Sequence, residues 1–429
     1  MVTTIYKKLM MLMLTLLVSA ASFASVEIDG ICYELNEWSK NAGVTAKAVK
    51  YSGSITIPST IIYNDVTYDV TYIGQEAFSD CPDLTSVTIP NSVESIGWNA
   101  FGCCYGLTSI TIPNSVRDIG NAAFLCCDGL TSVTLGNSVE NIGDNAFFCC
   151  SNLTSINIPE LVTSIGDQAF QSCYRITSIN IPRSVTKIGD DAFNICSGLI
   201  SISVEKGNTV YDCRDNCNAI IETNSNKLIA GCKNTVIPNS VTEIGQGAFC
   251  YCIEMKSIVI PNSVTTIGRH AFSGCTKLES IVIPNSVTTI ESYAFSGCSN
   301  LKSVTIGKNV TSIGTNAFGW QGNQGCSALA SVTILAKIPP AKDSSIDYVK
   351  AFTTYETLHV LPGCKAAYEA ADEWNRFTIV EDAVDLAMET TGISNVITDK
   401  ILKDGKYVVD GKIIIVKNGR KYNLNAVSE

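Results

Sequence analysis

Histidine is almost missing from this chain: only His270 and His359 occur in 429 residues, about 90 positions apart. A Ser-His-Asp or Cys-His nucleophilic centre therefore has little to build with. His270 stands just before Ala271-Phe272, at a position that varies along the chain, and reads as a solvated or edge residue. Charge is scarce too. Charged residues make up 16% of the chain, and the formal net charge is −10. With no basic run outside the first and last few dozen residues, a nucleic-acid surface is not expected. The acidic excess reads more simply as solubility. Carboxylates such as Glu94, Asp118, Glu140 and Asp190 are scattered, and nothing singles out a glycosidase pair.

Long apolar runs are missing except at the start. Residues 1–24 read as a secretory signal peptide, with Lys7 and Lys8 as the charged region and Leu9–Val18 as the apolar region. Ser22-Phe23-Ala24 places small residues where a signal peptidase reads. A membrane anchor is the alternative, but the run is short for a bilayer. No cysteine follows the cleavage site, so a lipid-anchored lipoprotein is not expected. No later stretch has the ~20 apolar residues of a membrane helix. The mature chain is expected to be exported and soluble, or held at a surface by something other than a helix.

What the sequence has instead is repetition. Ile73–Ile96 reads IGQEAFSDCPDLTSVTIPNSVESI, and Ile96-Gly97 starts the pattern again. Glycines at 74, 97, 120, 143, 166 and 189 lie 23 residues apart. The pattern resumes at Gly245 and Gly268, meets Glu291 in place of glycine, and returns at Gly314. A fixed period of this size marks a solenoid, which grows along one axis without enlarging its core. An apolar content of 46% suits a chain in which most residues face inward or stack on a neighbour.

Within one coil, Leu84, Val87 and Ile89 alternate with Ser86 and Thr88, which predicts a short strand with one buried face. Pro90-Asn91-Ser92 turns the chain. Val93 and Ile96 make a second short buried run, and Gly97 allows a tight turn. Ala100-Phe101 and then Cys104 predict a short helical or 3-10 arc, with phenylalanine as the large core residue. Strands of successive coils are predicted to form a parallel stack with rungs about 4.7–4.9 Å apart.

Around the coils, residues 25–72 read as an N-terminal β cap, with short alternating runs separated by Gly30, Gly53 and Asn64-Asp65. The repeats span 73–335. They are interrupted between Gly189 and Gly245 by one coil plus 33 residues, with a hairpin insertion over about 205–236. If Thr223–Asn226 is the hairpin turn, Cys217 and Cys232 fall opposite each other, and this pair is the one disulfide candidate. Residues 319–327 read as a glycine- and glutamine-rich loop. Residues 336–381 read as a C-terminal cap with a short helix over Cys364–Trp374, 382–396 as a linker, and 397–429 as a small β tail. Asp410-Gly411 and Asn418-Gly419 are hairpin turn signals in that tail.

Nineteen cysteines in an exported chain would ordinarily suggest disulfides. Nine of them, Cys81, Cys104, Cys127, Cys150, Cys173, Cys196, Cys252, Cys275 and Cys298, follow the repeat phenylalanine by three residues. In-register neighbours point the same way, so their Cβ atoms sit a full rung apart, beyond the ~3.5–4.5 Å a disulfide wants. A ladder of buried thiols is the expectation, and a metal site would need converging thiolates. Cys103, Cys126 and Cys149 suggest a second short ladder. The outward strand positions form a stripe of small, weakly polar residues: Ser86 and Thr88, Ser109 and Thr111, Ser132 and Thr134, and onward. Two readings stay open: a solvated face of high strand propensity, or a contact surface for an extended partner.

The unit closely resembles the BspA-like leucine-rich repeat family, and the resemblance covers about residues 73–335. It implies a leucine-rich repeat solenoid and a secreted or cell-surface binding protein. The family has no shared catalytic residues, so no enzyme activity, cofactor or metal is implied. Some relatives are adhesins for host matrix proteins or other bacteria. The implied partners are an extracellular protein or a glycan, and a monomer is expected. The tail DGKYVVDGKIIIVKNGRKYNL is similar to C-terminal modules of exported Bacteroidetes proteins, some of which are sorting signals for outer-membrane secretion. That likeness implies the outer surface of a Gram-negative-type bacterium. The hairpin and the loop at Gly319–Gln324 are the expected specificity elements, because they break the uniform surface.

Overall fold

The computed structural model describes residues 24–319, 325–342, 351–352 and 356–383, together with the backbone of three strands further on. Residues 1–23 of the expected signal peptide, positions 320–324 of the expected loop, and the expected linker from 384 lie outside the described residues.

The chain winds into a β-solenoid in which each regular coil lies on the one 23 residues before it, with wider steps at the interruption and after Gly314. Its most continuous seam is narrow. Ser95–Ile96, Asp118–Ile119, Asn141–Ile142, Ser164–Ile165 and Lys187–Ile188 pair in parallel, residue for residue at the repeat spacing. The second run of each coil, two residues long, thus forms an unbroken ladder as far as Lys187–Ile188, and a separate one resumes after the interruption. The wider strands are joined in pieces: Gly53–Thr56 with Leu84–Thr88, Ser109–Thr111 with Ser132–Thr134, and Ser178–Ile181 with Ser201–Val204. Only after Ser280–Ile283 does the wide ladder run on, through Ser303–Ile306, Ser331–Ile334 and Thr357–Val360 to Thr378–Val380.

The third side of each coil is a set of turns, where the sequence predicted a short helical or 3-10 arc. Two residues per coil take the left-handed conformation, as Asn99 (φ 51°) and Cys103 (φ 58°) do, and that breaks any helical run. The N–H groups then serve two ends. Those of Glu76, Phe78 and Asp80 donate to the carbonyls of Trp98, Ala100 and Gly102 in the next coil, at 2.7–2.9 Å. Those between them close tight turns onto their own coil, as Ala77 does onto Gly74. Within each run of regular coils, a coil is thereby bonded to its neighbours on its turn side as well as through its strands.

Inside, the repeat phenylalanines stack like coins. Phe78, Phe101, Phe124, Phe147, Phe170 and Phe193 follow one another at 5.0–5.5 Å with ring planes within 11°. A second stack runs through Phe249, Phe272, Phe295, Phe318 and Phe352. The ends are closed by tilted rings. Tyr51 lies 4.7 Å from Phe78, and Trp374 and Phe377 meet Phe352 edge-on. At the N-terminal cap, Ala24–Ile28, Ile31–Asn36 and Asn41–Thr45 pair antiparallel, and the last joins Val66–Ile73 in parallel. At the other end the expected helix is shorter, Lys365–Ala370, followed by a 3-10 turn at Trp374–Arg376. In the tail, Gly405–Val409, Lys412–Lys417 and Arg420–Leu424 form an antiparallel sheet, and its two turns lie outside the described residues.

The core is two cores. One cluster of buried residues runs from Ile31 to Cys232, the other from Cys217 to Ile379. They meet at the interruption. There Ala219–Glu222 and Lys227–Gly231 form the predicted hairpin, and the second strand pairs in parallel with Glu243–Ile244. Leu228 takes the place of a repeat isoleucine, and its carbonyl accepts the N–H of Gly245 at 2.8 Å.

Candidate binding surface

The outward stripe begins on strands held by the coil below. Ser86 Oγ donates to Ser54 Oγ at 2.7 Å, and Thr131 and Thr154 each donate to the carbonyl one coil back. Ser109, Thr111, Ser132 and Thr134 are exposed, as are Thr88 and the positions that follow at 155, 157, 178, 180, 201 and 203, while Ser86 is half-buried. Toward the C-terminus the stripe closes: Val282, Ser303 and Thr305 are buried. The sequence predicted one stripe along the whole solenoid, but it stays open only as far as Ser257 and Val259 and closes from Val282 onward. Exposed Trp98, Tyr105, Tyr174 and Tyr251 lie off the stripe, on the turns.

The nine repeat cysteines are buried, at 9% exposure or less. They do more than fill space. The thiols of Cys104, Cys127, Cys150, Cys173, Cys196, Cys275 and Cys298 donate to the carbonyl of the phenylalanine one coil back, at 2.9–3.2 Å. Cys81, next to the cap, turns to Ser79 O instead, and Cys252, just past the interruption, reaches only Gly231 O at 4.0 Å. Burial pushes the ladder thiols well up, so they stay protonated. Cys326 occupies the same seat, bonded to Phe295 O at 3.1 Å. The sequence reading missed it because the loop before it breaks the period. Cys103, Cys126 and Cys149 sit half-buried at a left-handed position of three successive coils. Burial, and then the neighbouring Cys149 and Cys103, push Cys126 up to about 11.

The predicted Cys217–Cys232 bridge is not made; both are free thiols. Near the turn the hairpin pairs Glu222 with Lys227 and Ile221 with Leu228, the register that would set Cys217 against Cys232. A bulge between Ile220 and Ile221 then shifts it, so that Ala219 faces Gly231. One residue of slip sends a side chain to the other face of the strand. Cys232 accordingly lies against Asn218 O, and Cys217 against Cys213, with the two sulfurs 3.7 Å apart. Cys213 was passed over in the sequence, although a Cys-x-x-x-Cys spacing inside a break in the repeat was the available signal. The hairpin itself is less of a surface feature than predicted. Its Ala219, Ile220, Ile221 and Leu228 are fully buried, and Gly231 lies over the Phe249 ring.

His270 stacks on Tyr293 at 4.9 Å, and His359 Nδ1 meets Asp382 Oδ1 at 2.6 Å. Glu291, the departure from glycine, uses Oε2 to accept the N–H of Arg269 at 2.8 Å. Among the described residues no three His, Cys, Asp or Glu side chains converge as metal ligands, and no helix is long and apolar enough to cross a membrane.

Comparison with known proteins bears on this surface. The family model described as the BspA type leucine rich repeat region matches residues 71–200 and 219–351, in six copies. The tail lies outside the matched residues. A leucine rich cell surface protein from Faecalibacterium prausnitzii is similar in structure, with 29% identity and a TM-score of 0.53, over 73% of this chain and 96% of that one. The pneumococcal vaccine antigen PcpA aligns with a TM-score of 0.59 at 19% identity, over 84% of this chain and 99% of its own. A leucine-rich repeat protein from Eubacterium ventriosum aligns with a TM-score of 0.55 at 24% identity, over 84% and 85%. The last two likenesses are of fold. No curated protein sequence matches the chain.

Proposed function

This chain belongs to the BspA-type leucine-rich repeat family, and from that premise we propose that it is an exported cell-surface adhesin that binds an extracellular protein along the stripe of its N-terminal coils. The observation that carries the reading is the stripe itself. Thr88, Ser109, Thr111, Ser132 and Thr134 stand exposed on strands that each pair with the strand of one neighbouring coil. Small side chains over a rigid sheet let a partner's backbone or side chains approach closely, and many modest contacts add up along the axis. The structural likeness to a bacterial cell-surface protein supports the location. The reading assigns no catalytic step, and the solenoid acts by shape and by the number of contacts.

The test is binding of the full chain to immobilised extracellular matrix proteins and to a panel of glycans. The triple variant Thr88→Glu, Thr111→Glu, Thr134→Glu carries like charges on neighbouring rungs of an exposed face. It is expected to keep its thermal stability within a few degrees and to lose at least ~tenfold in affinity for a protein partner, which is about 1.4 kcal/mol. Undiminished protein binding by a folded triple variant would remove the stripe from the proposal. Binding to glycans alone would replace the protein partner with a carbohydrate.

A further inference from the structure

Cys213 and Cys217 belong to neither cysteine series of the coils, and they lie at the meeting of the two cores. The turn between them, Arg214–Asn216, has two consecutive left-handed residues, Asp215 (φ 59°) and Asn216 (φ 54°). That bend brings Cys217 back over Cys213, sulfur to sulfur at 3.7 Å. The two differ in access. Cys213 is half-buried, whereas Cys217 is 1% exposed. The turn is also anchored. The Arg214 guanidinium grips both carboxylate oxygens of Asp212 at 2.6 and 2.8 Å, and reaches Asn226 in the hairpin turn and Ser240 beyond the hairpin.

The surroundings sort the two thiols chemically. The close contact with the Cys217 sulfur holds the Cys213 thiol down to about 6 against the effect of burial, with help from the N–H groups of Ala219, Asn218 and Cys217. The same contact, with burial, pushes Cys217 far up. A thiol with one accessible, acidic sulfur and a protonated neighbour within reach is the arrangement that disulfide exchange needs. The ladder thiols are the opposite case, buried and protonated.

We infer that Cys213 and Cys217 form an exchangeable dithiol at the joint of the solenoid, with Cys213 the entering sulfur and Cys217 the resolving one, oxidised by low-molecular-weight disulfides. The Cys213 thiolate attacks one sulfur of the reagent, breaks its S–S bond, forms a mixed disulfide and releases one thiolate. That thiolate takes the Cys217 proton. The Cys217 sulfur then attacks the Cys213 sulfur and expels the second half of the reagent, which leaves as a thiol once protonated from solvent. Two protein thiols are oxidised to one disulfide, and one small disulfide is reduced to two thiols. The new bond closes around the turn that carries Arg214, so the modification sits where the N-terminal and C-terminal cores join.

The full chain, reduced and then freed of reductant, is incubated with glutathione disulfide, blocked with N-ethylmaleimide, digested and mapped by mass. The peptide holding both cysteines is expected to lose about 2 Da and to carry no maleimide. Cys104, Cys127 and Cys150 are expected to be labelled only after denaturation. Without oxidant, Cys213 should alkylate at least ~tenfold faster than any ladder thiol. In Cys217→Ser the glutathione mixed disulfide should accumulate on Cys213. In Cys213→Ser, Cys217 should stay reduced. The inference is overturned if both cysteines of the wild-type chain remain alkylatable after incubation, or if either is found joined to Cys232. The wild-type map decides even if a variant fails to fold.

Discussion

Glycine at the head of each coil is chosen by a neighbour one rung away. At Gly143 an added Cβ would lie 2.6 Å from the N atom of Asn121 and 2.7 Å from the carbonyl carbon of Gly120. These are backbone atoms that cannot rotate aside, so Gly143→Ala should cost about 1–3 kcal/mol as an overpacked contact. Glu291 shows how the same seat takes a side chain: it keeps the N–H bond to Ile267 O at 2.9 Å and adds its carboxylate bond to Arg269. Glu291→Gly is therefore expected to lose under ~1 kcal/mol, most of it backbone entropy. Melting curves of the two variants test the contrast, and equal losses would mean that coil contact does not select the glycine. His270 offers a test by pH. Burial, and then the Arg269 charge, hold its pKa below the ordinary 6.5, so the unfolded chain takes up a proton more readily than the folded one. Its contribution to stability is full above 6.5 and declines as the pH falls through that value. In His270→Gln, which places glutamine where Gln168 already holds φ 56°, the fall in melting temperature from neutral to mildly acid pH should be smaller. An unchanged slope would assign that pH dependence elsewhere.

At the scale of elements, what could be read from the sequence followed what repeats. The 23-residue period placed the coils, the buried faces of Leu84, Val87 and Ile89, and the phenylalanine stack, because a side chain that recurs in register can only stack on its copy. The turn side was misread as a helical arc. Apolar spacing such as Ala100-Phe101 to Cys104 is common to helices and tight turns, and left-handed conformations at Asn99, Cys103 or His270 leave little mark in composition. The hairpin was legible from its turn, but the pairing of its cysteines was not. A β-bulge depends on how Leu228 and Gly231 seat against Gly245 and Phe249, contacts between segments that the local pattern does not encode. The closed end of the stripe was equally hidden, since Ser303 and Thr305 look in sequence like their exposed counterparts Ser109 and Thr111.

For the whole molecule, the two clusters of buried residues predict that the solenoid unfolds as two cooperative blocks in series. In a stack where each coil touches only its neighbours, a local loss of stability spreads as far as the coupling between coils carries it. Coupling is strong within each phenylalanine stack and changes character at the joint. There Phe193 ends one series and Phe249 opens the next, with the Lys227–Gly231 strand between them and Gln246 Nε2 reaching back to Asp191 Oδ2 at 2.9 Å. Phe124 is fully buried, with rings at 5.0 and 5.2 Å on its two sides. Phe124→Ala should cost about 3–5 kcal/mol. Native-state hydrogen exchange would show where that loss is felt. Amides of the coils between 73 and 198 are expected to lose protection, while those between 249 and 318 keep theirs. A drop of the same size on both sides of the joint would make the solenoid one cooperative unit. The hairpin strand would then be a continuous rung of the stack, and the division between the cores would carry no weight in folding.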